Sequence, residues 1–475
     1  MIPAAVEMNR YANQPVGAGP LPFHKASRVS LRYKNEWNQL MYRLFWLVCF
    51  VLLPCLLNGQ EVRRAMIEEI QTVPAQANGE WTIGGQVFGT LPTTQLNASS
   101  KPVAGDLAVV EFIVRDGKFL ATVIQPIGIK AANVNDGPYV IWKDASTADV
   151  LMMTGGKVSQ KTYKDITEPL VIDDLPGPVK SITLDPALPK TPKGTWARPS
   201  KLMAISDLEG NYQNALKFLE ANKVINQQGD WIWGDGHLVL VGDLVDRGTE
   251  VTELMWLLHR LERQARKAGG EVHYILGNHE AMVMGGDLRY INPKYHFVTA
   301  RMKLNYDRLF ADDTEIGRWW RSKNGVETVG NLLFIHGGYS PVLDQAQLDI
   351  DTLNQRIRAG LAPAQPTGLT PATNPVKHQH GPFWYRGYFE KYAPSWGGQA
   401  TEEEIKNILK RHAADHVVIG HTVVDEVGPL DETGAVIGID VKWKDAEKCQ
   451  GLLQEDGKLW RLSIDGKREK IEIGK

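Results

Sequence analysis

The stretch that decides the fold is LVLVGDLVDRG, at residues 238–248. Its first four residues are leucine and valine, a composition typical of a strand buried on both faces. Polar residues begin abruptly at Gly242, so we expect the strand to end there and a loop to follow. That loop carries Asp243, Asp246 and Arg247. The stretch therefore predicts an α/β sheet with charged side chains at the carboxyl end of a strand.

The same arrangement, an apolar run followed by a polar loop that contains glycine, occurs four more times. The runs are Leu202–Ile205, Val272–Leu276, Leu332–Ile335 and Val417–Ile419, and they precede SDLEGN, GNHE, HGG and GHT. Apolar residues at helical spacing predict helices over Tyr212–Asn222 and Val251–Ala268, between the first three strands. Because parallel strands end at one edge of a sheet, we expect the five loops to meet there.

The five loops together supply carboxylates, an amide oxygen, imidazoles and an arginine. These side chains are Asp207, Glu209, Asp243, Asp246, Arg247, Asn278, His279, His336 and His421. The oxygen and imidazole groups suit a pair of divalent ions, which can clamp the attacking and leaving oxygens of an in-line displacement. Arginine fits phosphate oxygens, and histidine can protonate a departing alkoxide. The set therefore predicts an enzyme that hydrolyses phosphate esters.

In type and order, these loops resemble those of the calcineurin-like metallophosphoesterases. GDLVDRG and GNHE are most similar to the phosphoprotein phosphatase branch, including its Shewanella-like bacterial members. The resemblance covers about residues 200–440. It implies two facing mixed β-sheets flanked by helices, in a four-layer sandwich. It also implies that phosphomonoesters are hydrolysed by a hydroxide that bridges two metal ions.

The resemblance implies a role for each site residue. The metal ligands would be Asp207, Glu209, Asp243, Asn278, His336 and His421. Asp243 would bridge the two ions. His279 would be the general acid, oriented by Asp246, and Arg247 would bind the phosphate. Arg386, in GPFWYRGY, fits the place of a second phosphate-binding arginine in the family, although aromatic neighbours could also simply stack on it.

The first motif departs from the family pattern, because Glu209 stands where the family has a histidine. Asp207, Glu209 and Asp243 would then surround the ions with three carboxylates where two are expected. Carboxylates favour hard ions, so we predict manganese or magnesium, with iron and zinc as the alternatives.

Two other functions fit the same residues. Diadenosine-tetraphosphatase-like hydrolases, which cleave a phosphoanhydride, share these motifs. A metal-stabilised binding protein without catalytic activity is the second alternative, and the presence of both His279 and Arg247 argues against it.

The composition also limits the partners. The chain of 475 residues has 53 Lys and Arg against 55 Asp and Glu, a net charge of −2, which gives no electrostatic case for nucleic acid. The expected partner is a phosphorylated protein or a small phosphoester.

Residues 1–60 are predicted to be a leader. The apolar run Leu44–Leu57 is shorter than the roughly 20 residues that a membrane-spanning helix needs, but it suits the apolar segment of a signal peptide. The residues before it are basic, and Met41 is an alternative start. We expect export to the periplasm or secretion. An uncleaved leader would instead anchor the protein to a membrane through residues 44–57.

Residues 61–195 are predicted to form a β-rich accessory region and linker, and residues 196–475 the catalytic domain. Val109–Val114 and Phe119–Ile124 read as a β-hairpin, because the Asp-Gly pair between them tolerates the positive φ of a tight turn. The segment Gly360–Gly381, rich in proline, threonine and alanine, is predicted to be an inserted surface loop or lid.

Overall fold

The computed structural model describes residues 64–75, 79–97, 101–361 and 370–473. The predicted leader and its apolar run lie outside these residues, and so does part of the predicted insertion, residues 362–369. Over the ranges that are described, no helix is both long enough and apolar enough to cross a membrane.

The first five strands form a small closed barrel. They are β1 (Arg64–Thr72), β2 (Trp81–Ile83), β3 (Gln86–Leu96), β4 (Asp106–Arg115) and β5 (Lys118–Lys130). Their order is β1-β2-β3-β5-β4, with β1 antiparallel to β4 and β3 parallel to β5. The predicted hairpin is confirmed, since Arg115 pairs with Lys118 and both residues of the Asp-Gly turn have positive φ. The barrel encloses an apolar core of its own.

Two small antiparallel sheets follow the barrel in the chain. Their strands are β6 (Asp136–Trp142), β7 (Ala148–Thr154) and β8 (Lys157–Tyr163), then β9 (Leu170–Ile172) and β10 (Ile182–Leu184). Apolar residues of β6 and β7 belong to the same core as the strands after residue 196. Buried hydrogen bonds join them as well: the indole of Trp256 donates to the carbonyl of Pro138 (2.8 Å), and that of Trp142 to the Glu315 carboxylate (2.7 Å). The barrel aside, this region therefore packs into the main body.

The main body contains two mixed sheets of six strands each. The strands are β11 (Thr195–Trp196), β12 (Lys201–Ile205), β13 (His237–Val241), β14 (Glu271–Ile275), β15 (Val326–Val329), β16 (Leu332–Ile335), β17 (His416–Ile419), β18 (Gly428–Pro429), β19 (Val436–Gly438), β20 (Gln450–Glu455), β21 (Lys458–Ser463) and β22 (Arg468–Lys470). One sheet has the order β14-β13-β12-β20-β21-β22, and the other β11-β15-β16-β17-β19-β18. All five apolar runs of the sequence are strands, namely β12, β13, β14, β16 and β17. The predicted α/β class with mixed sheets is confirmed.

Eight helices lie among the described residues of the main body. They are α1 (Tyr212–Ala221), α2 (Val251–Lys267), α3 (Asn278–Met284), α4 (Pro293–Met302), α5 (Glu315–Arg321), α6 (Pro341–Asp344), α7 (Ile350–Gly360) and α8 (Glu402–Arg411). The predicted helices α1 and α2 are confirmed, each ending one residue earlier than expected. On α2 the apolar residues Leu254, Leu258 and Leu261 are fully buried, which holds the helix against the sheet.

The predicted insertion is only partly a surface loop. Its first residue, Gly360, ends α7, and in the described remainder Ala372 and Val376 are buried (8% and 2% exposed). The prediction was an inserted surface loop or lid; residues 370–381 differ from a fully exposed loop, because Ala372 and Val376 add to the apolar core.

Candidate active site

The loops that follow β12, β13 and β17 hold six residues other than glycine at positive φ. They are Asp207, Glu209, Asp243, Asp246, Arg247 and His421, with φ between 45° and 73°. Each such residue costs about 1–3 kcal/mol, and this backbone persists only where the surrounding structure enforces it. Strain of this kind concentrates at functional sites, and here it occurs in the loops that carry the predicted residues.

Asp243 lies at the centre of the site and is 2% exposed. Its Oδ1 accepts a hydrogen bond from the backbone N–H of His279 (2.8 Å), and its Oδ2 lies 3.1 Å from Nε2 of His336. Burial raises the pKa of Asp243, but His336 and His279 outweigh it and hold that pKa well below the usual range. The carboxylate is therefore ionised. Both of its oxygens have polar partners, Oδ1 the backbone N–H of His279 and Oδ2 the ring of His336.

A backbone carbonyl, that of Val241, orients the ring of His336. Its Nδ1 lies 2.8 Å from the carbonyl of Val241, to which it donates, and its Nε2 lies 3.0 Å from Oδ1 of Asn278. Burial lowers the pKa of His336, but the adjacent Asp243 raises it to about 9. A divalent ion on Nε2 would displace the proton, because Nδ1 is already committed as the donor.

His421 has a buried ring nitrogen without a partner. Its Nε2 makes no hydrogen bond within the described part of the chain, while its backbone N–H donates to Oδ2 of Asp207 (3.1 Å). Burial, and then His336, lower the pKa of His421, which keeps the ring neutral. One ligand atom each from Asp243, His336 and His421 lies within 4.8 Å of the others.

Three buried carboxylates crowd the same place. Asp207, Asp243 and Asp440 are 5%, 2% and 5% exposed. Burial, and then Asp440, raise the pKa of Asp207 well above its usual value; burial, and then Asp243, raise the pKa of Asp440 to about 7. Such a cluster is costly unless cations compensate it. Together with the unpartnered nitrogen of His421, these oxygens fit divalent metal ions.

His279 and Asp246 form a buried pair beside this cluster. Nδ1 of His279 lies 2.6 Å from Oδ2 of Asp246, and Nε2 lies 3.7 Å from Oδ2 of Asp243. Burial lowers the pKa of His279, but Asp243 and the hydrogen bond to Asp246 raise it. The ring therefore presents a proton on Nε2 towards the site, which is the arrangement a general acid requires.

The structure places Arg247 against Glu209. The two side chains form an ion pair and are 46% and 26% exposed, and the guanidinium lies 5.2 Å from the centre of the Tyr290 ring. Glu209 is not in the group of ligand atoms around Asp243. The role of Glu209 as a metal ligand therefore stays a prediction.

Arg386 lies beside Thr422, the residue that follows His421. Its Nη1 donates to Oγ1 of Thr422 (3.0 Å), next to His421, and its guanidinium lies 5.4 Å from the ring of Tyr392. Burial lowers the pKa of Arg386, while Asp440 opposes that shift. The partial burial of this cation beside the carboxylates agrees with an anion-binding role.

Glu280 does not make the ion pair that its charge suggests. It is fully buried, and its oxygens accept from the backbone N–H groups of Asp243, Leu244 and Gly277 at 2.8–3.1 Å. Backbone donors rather than a side-chain cation satisfy the carboxylate. Glu280 thus holds the Asp243 loop to the start of α3.

Sequence reasoning left three residues of the site unassigned. Asp440 follows β19 and lies buried beside Asp243. Tyr290 packs on the ring of His279 (5.1 Å between centroids), and Trp384 packs edge-on against His421 (5.9 Å). Neither aromatic residue belongs to a metal-ligand pattern, so no sequence signal identified it.

Comparison with known proteins gives the family. The model of the calcineurin-like phosphoesterase family matches residues 200–425. Shewanella-like protein phosphatase 2 of Arabidopsis thaliana is 25% identical over 274 residues, which cover 48% of this chain and 68% of that protein. Shewanella-like protein phosphatase 1 of Plasmodium berghei is 25% identical over 235 residues, covering 47% and 61%.

Comparison with a solved structure also identifies a phosphatase as a relative of this chain. The cold-active protein-tyrosine phosphatase of a psychrophilic Shewanella species is 33% identical to this chain, with a TM-score of 0.65. The match covers 71% of this chain and 100% of that one, so it extends in front of residue 196. This chain belongs to the calcineurin-like metallophosphoesterases and is a phosphatase, a metal-dependent hydrolase of phosphate esters.

Proposed function

We propose that this phosphatase removes phosphate from phosphomonoesters of protein side chains, phosphotyrosine among them. The observation that carries the proposal is the convergence of Asp243, His336 and His421 beside the His279–Asp246 pair. It is supported by the similarity to a protein-tyrosine phosphatase at 33% identity and to two Shewanella-like protein phosphatases.

The metal ions would be held by the ligands that the sequence predicted. These are Asp207, Glu209, Asp243, Asn278, His336 and His421. Bound there, two divalent ions supply positive charge for the phosphate oxygens and lower the pKa of a water molecule towards neutrality. The crowding of three buried carboxylates, Asp207, Asp243 and Asp440, supports this assignment, because divalent ions would compensate their charge.

Around the ions, the chain's own residues bind and orient the ester. Arg247 and Arg386 approach the carboxylate cluster from two sides and would bind the phosphate oxygens. Arg247 would exchange its contact with Glu209 for the phosphate. His279 holds a proton on Nε2 for the leaving oxygen, and Asp246 keeps the ring in that orientation through Nδ1.

We propose manganese or magnesium as the resident ions, because Glu209 adds a carboxylate where the family has a histidine. The Glu209→His variant should shift the preference towards zinc, measured both as binding affinity by calorimetry and as activity with each metal. Identical metal profiles for the two proteins would refute the role of Glu209.

A substrate panel separates the candidate activities. We expect manganese-dependent turnover of p-nitrophenyl phosphate and of phosphotyrosyl peptides, abolished by chelation. The alternative is a diadenosine-tetraphosphatase-like enzyme, which shares the motifs and would prefer a dinucleoside polyphosphate. Faster turnover of that compound than of either phosphomonoester would overturn the proposal.

We further propose that the protein works outside the cytoplasm. The support is the basic stretch followed by the apolar run at residues 44–57. Cell fractionation and N-terminal sequencing of the mature protein test this. We expect the protein in the periplasm or medium, or in the membrane fraction if the leader stays attached; recovery in the cytoplasm alone would refute export.

A further inference from the structure

A cleft of about 280 Å³ opens beside the catalytic residues, between α3 and the segment that precedes Arg386. Its lining is apolar on the inside and charged at the rim. Ala281, Met282, Val376 and Trp384 line the inside, and Asp287, Arg289 and Lys377 are the charged residues. A volume of this size accommodates one amino-acid side chain.

Two residues that line the cleft contact residues of the proposed metal site. On one wall, Sδ of Met282 accepts a long hydrogen bond from Nδ2 of Asn278, a proposed metal ligand (3.7 Å). On the other wall, the ring of Trp384 lies edge-on against His421, at 5.9 Å. Consecutive Cα atoms of a peptide are about 3.8 Å apart, so a residue next to one whose phosphate sits at the metals would lie close to this opening.

The inside of the cleft favours the apolar stem of a side chain. Ala281, Met282 and Val376 are 8%, 7% and 2% exposed, and the Trp384 ring adds an aromatic face. Trp384 is held in place, because its indole N–H donates to the carbonyl of Val376 (2.8 Å). This bond fixes Trp384 and Val376, which lie on the same wall, to each other.

The charges at the rim are not equivalent. Arg289 is engaged by Asp287 through a pair of contacts, from Nε (2.8 Å) and Nη2 (2.8 Å), so the two charges largely cancel. Lys377 is exposed, and no carboxylate of the described residues pairs with its ammonium group. One uncompensated positive charge thus stands at the mouth of an otherwise apolar cleft.

We propose that this cleft is a subsite for the residue adjacent to the phosphorylated one, and that Lys377 selects an acidic side chain there. Glutamate fits best, since its methylene groups would contact Met282 and Val376 while its carboxylate meets the lysine. The inference rests on the proposed action on phosphoproteins and deepens it by naming the preferred substrate class, acidic phosphopeptides.

The test compares three substrates: p-nitrophenyl phosphate, a phosphotyrosyl peptide flanked by glutamates, and the same peptide flanked by lysines. Lys377→Glu should lower kcat/KM for the acidic peptide about fivefold, through KM, and raise it for the basic peptide, as expected for an exposed ion pair replaced by repulsion. Turnover of p-nitrophenyl phosphate, which is too small to reach the cleft, should stay unchanged.

Two further variants serve as controls. Lys377→Arg keeps the charge and should keep the preference for the acidic peptide. Lys410→Glu makes the same charge change on α8, away from the cleft lining, and should leave all three rates as they are.

The possible failures are distinguishable. Equal effects of Lys377→Glu on both peptides, or no effect on either, would overturn the proposed subsite. If the protein still hydrolyses p-nitrophenyl phosphate in that case, the proposed function is unaffected. Absence of turnover of all three substrates by the unaltered, metal-loaded protein would overturn the proposed function itself.

Discussion

Two polar clusters draw on strands of both sheets, and they differ in how completely their atoms are hydrogen-bonded. In the loops after β17 and β13, His421 Nε2 and Asp246 Oδ1 are buried without partners. Within β15, β14 and β13, Glu327, His273 and His237 form a continuous chain with contacts of 2.7 and 2.8 Å. In the first cluster, buried polar atoms lack hydrogen-bond partners. In the second, the three side chains are hydrogen-bonded to one another.

The unpartnered atoms of the first cluster remain available to a ligand, whereas Glu327, His273 and His237 leave none within their chain. Asn324 donates to the second oxygen of Glu327 (2.9 Å), so that carboxylate has partners on both sides. Buried polar atoms are nearly always bonded in native proteins, and each exception calls for an explanation. Around Asp243 the explanation we propose is metal ions and substrate. Around Glu327 none is needed.

The largest difference between the clusters should appear in catalysis. His279→Ala removes the proposed general acid and should lower kcat about 10²–10⁴-fold with little change in melting temperature. The matched change His273→Ala, in the satisfied cluster, should leave kcat of the folded protein unaltered. A comparable loss of kcat in both variants would contradict the proposed difference between the catalytic cluster and the structural cluster.

Removing the metal ions with a chelator should destabilise the protein, and the cluster around Asp243 should be the sole cause. Removing the ions leaves Asp207, Asp243 and Asp440 uncompensated, and restoring manganese at 100 times its dissociation constant should return about 2.7 kcal/mol of stability. Thermal melts with and without chelator measure this. Asp207→Asn should reduce the response, and an unchanged melting temperature in the parent protein would contradict the assignment.

A mutation in the satisfied cluster should affect stability but not chemistry. Glu327→Ala removes the acceptor of His273 and leaves a buried donor unpaired, which costs about 1–3 kcal/mol. Urea unfolding measures the cost, and kcat normalised to folded protein serves as the control. Loss of kcat at unchanged stability would show that this cluster, too, takes part in the reaction.

The smallest effect we expect is a dependence of stability on pH. Burial, and then His273, lower the pKa of His237 in the folded protein to about 4, whereas an exposed histidine has a pKa of about 6.5. As pH falls from 6.5 to 4, the unfolded chain takes up a proton that the folded chain does not, so stability decreases over that window. His237→Gln should show a shallower decrease in melts across that range; equal slopes would remove His237 as the cause.

Much of this site could be predicted from the sequence because its parts are local. Each apolar run ends where a polar glycine-containing loop begins, so β13 and the Asp243–Arg247 loop were visible together. The helices α1 and α2 followed from apolar spacing in the same way. Gly242 has a local reason too, because its φ of 79° favours glycine.

The rest depends on contacts between residues distant in sequence. Periodicity does not reveal that β3 lies parallel to β5, or that β20 pairs with β12, since partner choice is a property of the whole sheet. The partner of a charged side chain is equally hidden. A lone glutamate gives no sign that Glu280 caps backbone N–H groups, or that Glu209 meets Arg247.

The central claim is that ions occupy the space between Asp243, His336 and His421. Anomalous diffraction from a crystal of the manganese-loaded protein, at the manganese absorption edge, tests it directly. We expect two peaks that share Asp243, one of them also within bonding distance of His336 and His421 and the other of Asp207. A crystal of active enzyme with no anomalous peak among these side chains would contradict the account.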